Sequence, residues 1–151
     1  DANDPESAIP HGNGLKVYQN GQVFAGEFSN GEFNGFGFLY NPDGNWVSGV
    51  WENNSLENTA TVYKMNGFWY KCHYQNSKKH GWEISYFDLQ NPILRKKTHY
   101  HHGKKHGEQI SFWDDGKIPR KIETFNKNQS IGEIRYLTID GSIPNLDTNF
   151  F

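Results

Sequence analysis

Apolar and polar residues alternate with a period of two along several short stretches of the chain. Phe36, Phe38 and Tyr40 share one side of such a stretch, and residues 82–86 and 110–112 repeat the pattern. This period is typical of a β-strand with one half-buried face. Clusters rich in Asn, Asp and Gly separate the stretches and favour tight hairpin turns. The pattern therefore predicts a meander of about ten short antiparallel strands.

The stretches recur in units of similar length. HYQNSKKHGWEISYF at 73–87 and HYHHGKKHGEQISFW at 99–113 are identical at eight of fifteen positions. Self-similarity of this kind is typical of repeat architectures. The alignment extends over residues 11–144, which we expect to form one repeat array between a polar N-terminal segment, 1–10, and a C-terminal tail, 145–151. After a partial unit, five strand–turn–strand–turn units follow: 24–46, 47–69, 70–95, 96–120 and 121–144.

Two kinds of position recur in every unit. The first strand reaches an aromatic residue, and in the first three units a small residue (Gly26, Gly49 or Cys72) lies two positions before it. Residues two apart in a strand share a face, so a small residue leaves room for neighbouring rings. This predicts that the single cysteine is a packing residue and not a reactive thiol. The turn is followed by a glycine except in the second unit, where Asn58 replaces it and we expect an irregular turn.

The composition favours a thin, aromatic-rich fold. Only 34% of the 151 residues are hydrophobic, whereas 16% are aromatic, so rings must supply most of the buried area. Residues 1–60 carry eight acidic side chains and one basic one, while residues 64–121 carry twelve basic and five acidic ones. Such segregation indicates either an electrostatic surface for a partner or a solvated face.

The first unit resembles a MORN repeat. Residues 24–37 read F-x-G-x-F-x-N-G-x-x-x-G-x-G, and residues 70–120 resemble the divergent form of the repeat with K-K-H-G in its turn. The resemblance implies an all-β fold, an elongated single-layer antiparallel β-meander of hairpin repeats that acts as a scaffold or binding surface. The divergent form is common in bacterial proteins of antitoxin-like or immunity-like type. The resemblance therefore implies a protein that neutralises a toxic effector.

The histidines of the third and fourth units have two interpretations. Several imidazoles from adjacent strands could ligate zinc, but the histidine of K-K-H-G belongs to the repeat and is explained without metal. On a regular strand His99 and His101 would share a face, and His102 would point to the other. We expect the turns to serve the repeat, with no metal and no cofactor.

The paired lysines suggest two surfaces and argue against a third. Lys78, Lys79, Lys104 and Lys105 at the hairpin turns could face an anionic membrane or an acidic patch on a protein, or simply keep the sheet soluble. Nucleic acid is disfavoured by the net charge of −2. No nucleophile, base and orienting group share a motif, so we expect no enzymatic activity and no catalytic residue.

The sequence thus favours a binding module for a protein partner, with anionic phospholipid headgroups as the alternative. The polar start without Met fits an exported or periplasmic bacterial protein after signal-peptide removal, and it fits a trimmed cytoplasmic chain equally well. The residues expected to contact a partner are Trp51, Tyr74, Lys78, Lys79, His80, Trp82, Tyr100, His102, Lys104, Lys105, His106 and Trp113.

Overall fold

Within residues 9–144, eleven antiparallel strands form one open sheet in which every strand pairs with its neighbours in sequence. The computed structural model describes residues 9–144, so the predicted tail and most of the N-terminal segment lie outside the described residues. The predicted all-β single-layer meander is confirmed, and it has eleven strands where the sequence predicts about ten. The strands are β1 Gly12–Val17, β2 Val23–Ser29, β3 Glu32–Tyr40, β4 Trp46–Glu52, β5 Ser55–Tyr63, β6 Trp69–Gln75, β7 Lys78–Phe87, β8 Ile93–His101, β9 Lys104–Phe112, β10 Pro119–Asn126 and β11 Gln129–Tyr136.

Two-residue turns close the hairpin inside each unit. In each turn both residues have positive φ, as in His102 (46°) and Gly103 (80°). This is the conformation whose twist matches that of paired strands and which favours Asn and Gly. The expected irregularity of the second unit is wrong, because Asn53 (46°) and Asn54 (65°) adopt the same turn.

A β-bulge follows each of these turns and explains the recurring glycine. In the third unit only His73 lies between the paired residues Cys72 and Tyr74, whereas residues 80–82 lie between their partners on β7. One residue of each bulge has positive φ, for example Gly81 at 82°. Asn58 adopts φ of 60° at the same place, which Asn tolerates better than most residues. The substitution therefore preserves the bulge.

Successive turns are linked by a reciprocal pair of hydrogen bonds, which we call the turn clamp. The Asn54 backbone N–H donates to the Phe33 carbonyl oxygen (3.1 Å), and the Phe33 N–H donates to the Asn54 side-chain oxygen (2.8 Å). Ser77 and Asn128 form the same pair one and three units further on. Gly103 makes only the backbone half of the clamp, to the Lys79 carbonyl oxygen at 2.7 Å.

One face of the sheet, the core face, buries the rings of the first units. Phe24 is fully buried and stacks on Phe33 with ring centroids 3.6 Å apart, and Trp51 packs edge-on against both. The rings lie across the predicted column of small residues. A Cβ atom at Gly37 would come within 2.3 Å of the Phe24 ring. Cys72 lies in the same column, is 1% exposed, and is a packing residue as predicted.

The core face becomes polar in the third unit. Glu83 and Thr98 continue the small-residue column, and both are buried. Glu83 forms an ion pair with Lys79, and the Thr98 hydroxyl donates to the Gln109 side-chain oxygen at 3.3 Å. An ion pair and a hydrogen bond thus join ring packing among the side-chain contacts of this region. Within residues 9–144 no helix is long and apolar enough to cross a membrane.

Candidate functional site

The second face of the sheet carries a ladder of aromatic rings, and we call it the aromatic face. Trp46 and Tyr63 stack with centroids 3.8 Å apart, and Trp69 and Tyr86 stack at 4.4 Å. The rings of Tyr63 and Trp69 lie 6.2 Å apart between centroids, with nearly parallel planes. The face comprises Phe36, Phe38, Tyr40, Trp46, Tyr63, Trp69, Trp82 and Tyr86.

Strand register builds the ladder. Tyr40, Trp46, Tyr63, Trp69 and Tyr86 are direct cross-strand partners in successive strand pairs. Cross-strand aromatic pairs of this kind stabilise the sheet, but within residues 9–144 no second sheet packs against their outer side. Side chains therefore remain exposed, including Phe36 (48%), Tyr40 (43%) and Trp82 (42%).

Sequence reasoning omitted Trp46 and Trp69 from the candidate residues. They occupy the last position of the first two units, and their recurrence 23 residues apart was the signal that could have identified them. Trp82, which the sequence did single out, lies on the aromatic face, edge-on to His99 at 5.0 Å.

Trp51 and Tyr74 lie on the opposite side of the sheet from this ladder. Each is only 7% exposed and belongs to the hydrophobic cluster of the core face. Burial and the neighbouring Tyr70 hydroxyl raise the pKa of Tyr74 well above its usual range. These two predicted partner contacts are therefore packing residues in this structure.

The paired lysines divide between solvent and the core face. Lys78 and Lys104 are exposed, whereas Lys79 and Lys105 are partly buried. The Lys79 ammonium lies 5.0 Å from the centre of the Tyr100 ring, and the Lys105 ammonium lies 4.8 Å from that of Phe125. Each of these lysines thus covers the aromatic residue of the next unit, as expected for a favourable cation–π contact.

The Lys79 ammonium is held in its charged form. Burial alone would lower the pKa of Lys79, but the hydrogen bond and the charge of Glu83 outweigh it and raise this pKa. Lys79 also lies 4.3 Å above the Tyr70 ring. The charges of Lys79 and Glu83 are therefore engaged in contacts within the sheet.

Histidines from two units meet at the turn end of the aromatic face. Ring nitrogens of His80, His101 and His102 lie within 4.8 Å of one another. The expectation that His102 points to the other face is wrong, because its φ of 46° belongs to a turn and not to a strand. His106, from the bulge of the fourth unit, lies 5.8 Å from His101 between ring centroids.

One long contact lies within this cluster and one hydrogen bond lies beside it. The His102 backbone N–H donates to His80 Nδ1 at 3.4 Å, and His99 Nδ1–H donates to the His106 carbonyl oxygen at 2.8 Å. Desolvation, together with the charges of the surrounding imidazoles, lowers the pKa of His101. The neutral form of His101, the form that ligates metals, is therefore favoured.

An apolar cleft of about 620 Å³ lies at the C-terminal end of the sheet. Trp113, the remaining predicted contact, lines it, and the Arg120 guanidinium lies 5.2 Å from the centre of its ring. The buried Trp113 indole N–H has no hydrogen-bond partner among residues 9–144. Tyr136 and Ile139 from the last strand and the segment after it complete the wall.

Comparison of the chain with models of known protein families gives no match. Comparison with curated proteins likewise gives no significant match. The geometry of the two faces and of the histidine cluster is therefore the basis for a functional assignment.

Proposed function

We propose that this protein is a non-catalytic binding module that recognises a protein partner through its aromatic face. The observation that carries the proposal is the ladder of stacked rings left open on one side of a single-layer sheet. The largest apolar patch on a soluble monomer is typically about 300–600 Å² and is often functional. Phe36 and Tyr40 on β3 and Trp82 on β7, at 48%, 43% and 42% exposure, expose on the order of 300 Å² between them at the two ends of the ladder.

The chemistry of this surface suits a protein. Trp and Tyr are the side chains most enriched at binding hot spots, because they bury a large area and lose little conformational freedom. The aromatic face also rests on paired strands, so its rings are already arranged before binding. A preorganised surface reduces the entropic cost of association.

The resemblance to the MORN repeat extends this proposal. If the chain belongs with the divergent bacterial form, its partner is a toxic effector, and the sheet neutralises it by covering its surface. Neutralisation of a toxic effector rests on the resemblance alone, since fold does not determine function. Protein binding by the aromatic face does not depend on that resemblance.

The alternative function is attachment to an anionic membrane through the hairpin turns. The observation in its favour is that exposed Lys78 lies beside the next turn, with its Cβ 3.7 Å from the position of a Cβ at Gly103. Lys79 and Lys105 are engaged on the core face, so two of the four lysines remain for lipid. At about 1 kcal/mol each, Lys78 and Lys104 would contribute about 2 kcal/mol, which is weak attachment.

A matched pair of variants tests the protein-binding proposal. Phe36→Thr/Trp82→Thr removes two exposed rings and replaces them with β-branched residues, which favour strands. Met65→Thr/Leu89→Thr removes two exposed apolar side chains, at 79% and 54% exposure, from loops outside the aromatic face. The protein captured from producing cells by crosslinking to the wild-type chain is purified and titrated against both variants.

We expect the first variant to weaken binding at least tenfold, because each ring at a hot spot contributes 1 kcal/mol or more. The loop variant should bind like the wild type. Equal affinity of all three chains would refute the aromatic face as the binding surface. Sedimentation with phosphatidylserine vesicles tests the alternative function, attachment to a membrane. Membrane attachment requires vesicle binding that salt weakens and that Lys78→Glu/Lys104→Glu abolishes.

A further inference from the structure

We propose that His80, His101 and His102 form a binding site for a zinc ion, a property separate from recognition of a protein partner. Their ring nitrogens lie within 4.8 Å of one another. Tetrahedral zinc with Zn–N distances of 2.0–2.1 Å requires nitrogens about 3.3 Å apart. His101 and His102 are exposed, so their rings can rotate inward without disturbing the core.

The repeat places these three side chains together through two backbone devices. His80 is the first residue of the bulge in the third unit, and His102 is the first residue of the next turn. The Gly103 N–H donates to the Lys79 carbonyl oxygen at 2.7 Å, which fixes that turn against β7. The ligands thus come from two hairpins that the sheet already holds in register.

The repeat accounts for only one of the three histidines. HYQNSKKHG and HYHHGKKHG both contain the histidine of K-K-H-G, at 80 and at 106. At the turn, however, the third unit has Gln75 and Asn76 where the fourth has His101 and His102. The two histidines that the repeat does not require are therefore the two that complete a three-imidazole set with His80.

The hydrogen bonds of the cluster are compatible with coordination. The contact from the His102 N–H to His80 Nδ1 is 3.4 Å long, beyond the usual range for such bonds, so zinc can replace it at little cost. His106 lies near enough to His101, at 5.8 Å between centroids, to approach as a fourth ligand. A water molecule in that position gives the three-histidine arrangement equally well.

The ligand type sets the selectivity of the site. The three imidazoles offer only nitrogen, and the exposed neighbours Lys78 and Lys104 supply no carboxylate oxygen for a hard cation. Imidazole suits zinc, copper and nickel, whereas magnesium and calcium prefer oxygen ligands. Zinc should therefore bind in the presence of excess magnesium.

The matched variant is His101→Gln/His102→Asn, which gives the fourth unit the turn residues of the third. Asn76 already adopts φ of 48° at the equivalent position, so this variant should fold like the wild type. His11→Gln, at an exposed histidine outside the cluster, is the control. Calorimetric titration of the full chain, free of any added histidine tag, with zinc chloride in excess magnesium measures stoichiometry and affinity.

We expect one zinc ion per wild-type chain, unchanged affinity in His11→Gln, and at least tenfold weaker binding in the double variant. His80→Gln should weaken binding similarly, and the circular dichroism spectrum of each variant verifies its fold. Absence of binding at stoichiometric zinc would overturn the proposal. Equal zinc affinity in the folded double variant would also overturn it, because other residues would then be the ligands. Neither outcome affects recognition by the aromatic face.

Discussion

Removal of the Asn54 side chain is the most direct test of the turn clamp. Asn54→Gly keeps the positive φ of 65° but eliminates the acceptor that lies 2.8 Å from the Phe33 backbone nitrogen. Phe33 is 9% exposed, so its N–H loses a partner at the margin of the core. An unsatisfied group of this kind costs about 1–3 kcal/mol.

Two further substitutions separate the hydrogen bond from the backbone conformation. Asn54→Ala loses the same acceptor. Unlike the Gly variant, it also holds a Cβ at positive φ, which adds roughly 1–2 kcal/mol to the cost of the Gly variant. Asn54→Asp retains an acceptor oxygen and should remain within about 0.5 kcal/mol of the wild type. The expected order of stability is therefore wild type and Asp, then Gly, then Ala.

Urea unfolding followed by tryptophan fluorescence measures this order. Trp51 packs against Phe33 with centroids 5.6 Å apart, so its emission reports on the clamped region. In thermal unfolding the Gly variant should lose about 2–4 °C per kcal/mol. A Gly variant as stable as the wild type, or an Asp variant as unstable as Gly, would show that the side-chain half of the clamp contributes nothing.

Three other substitutions or reactions test the packing. Gly103→Asn supplies the side-chain acceptor that the fourth unit lacks and should raise the free energy of unfolding by about 0.5–1.5 kcal/mol; a lower urea midpoint would contradict this. Gly37→Ala places a Cβ 2.3 Å from the Phe24 ring and should cost about 1–3 kcal/mol, whereas Gly14→Ala, with its nearest contact at 3.7 Å, should cost less than 1 kcal/mol. Burial raises the pKa of Cys72 to about 11, so a disulfide reagent at pH 8 should modify it only in urea; rapid reaction of the folded chain would exclude the buried thiol.

The strands and turns could be predicted from the sequence because their causes are local. Alternation fixes which side chains share a face, and a two-residue turn fixes the register of its hairpin. The small-residue column was also readable, since Gly26, Gly49 and Cys72 recur at one position of the unit. These signals require no knowledge of distant contacts.

The fate of the paired lysines required the register between units. Lys79 and Lys105 occupy the position of Phe33 and Leu56 in the repeat. An alignment of this column indicates a packing role, but charge suggested a solvated turn instead. Ion pairing with Glu83 and the ring of the next unit reconcile a charged group with the core face.

The histidine cluster could not be predicted from strand geometry. Period-two reasoning assigns His102 to the opposite face, and this fails where the chain leaves the strand at a residue with positive φ. The bulge displaces His80 from the regular alternation for a similar reason. Sites formed at bulges and turns depend on local departures from the pattern that predicts the rest of the fold.

The pairing of each strand only with its neighbours in sequence has an evolutionary consequence. A duplication that begins and ends at equivalent turns adds one hairpin and creates a single new junction, while all other pairings persist. The 26-residue offset between HYQNSKKHGWEISYF and HYHHGKKHGEQISFW is what such an event leaves behind. The sheet can thus lengthen or shorten in whole hairpins, and the extent of its exposed surface can change without redesign of the core.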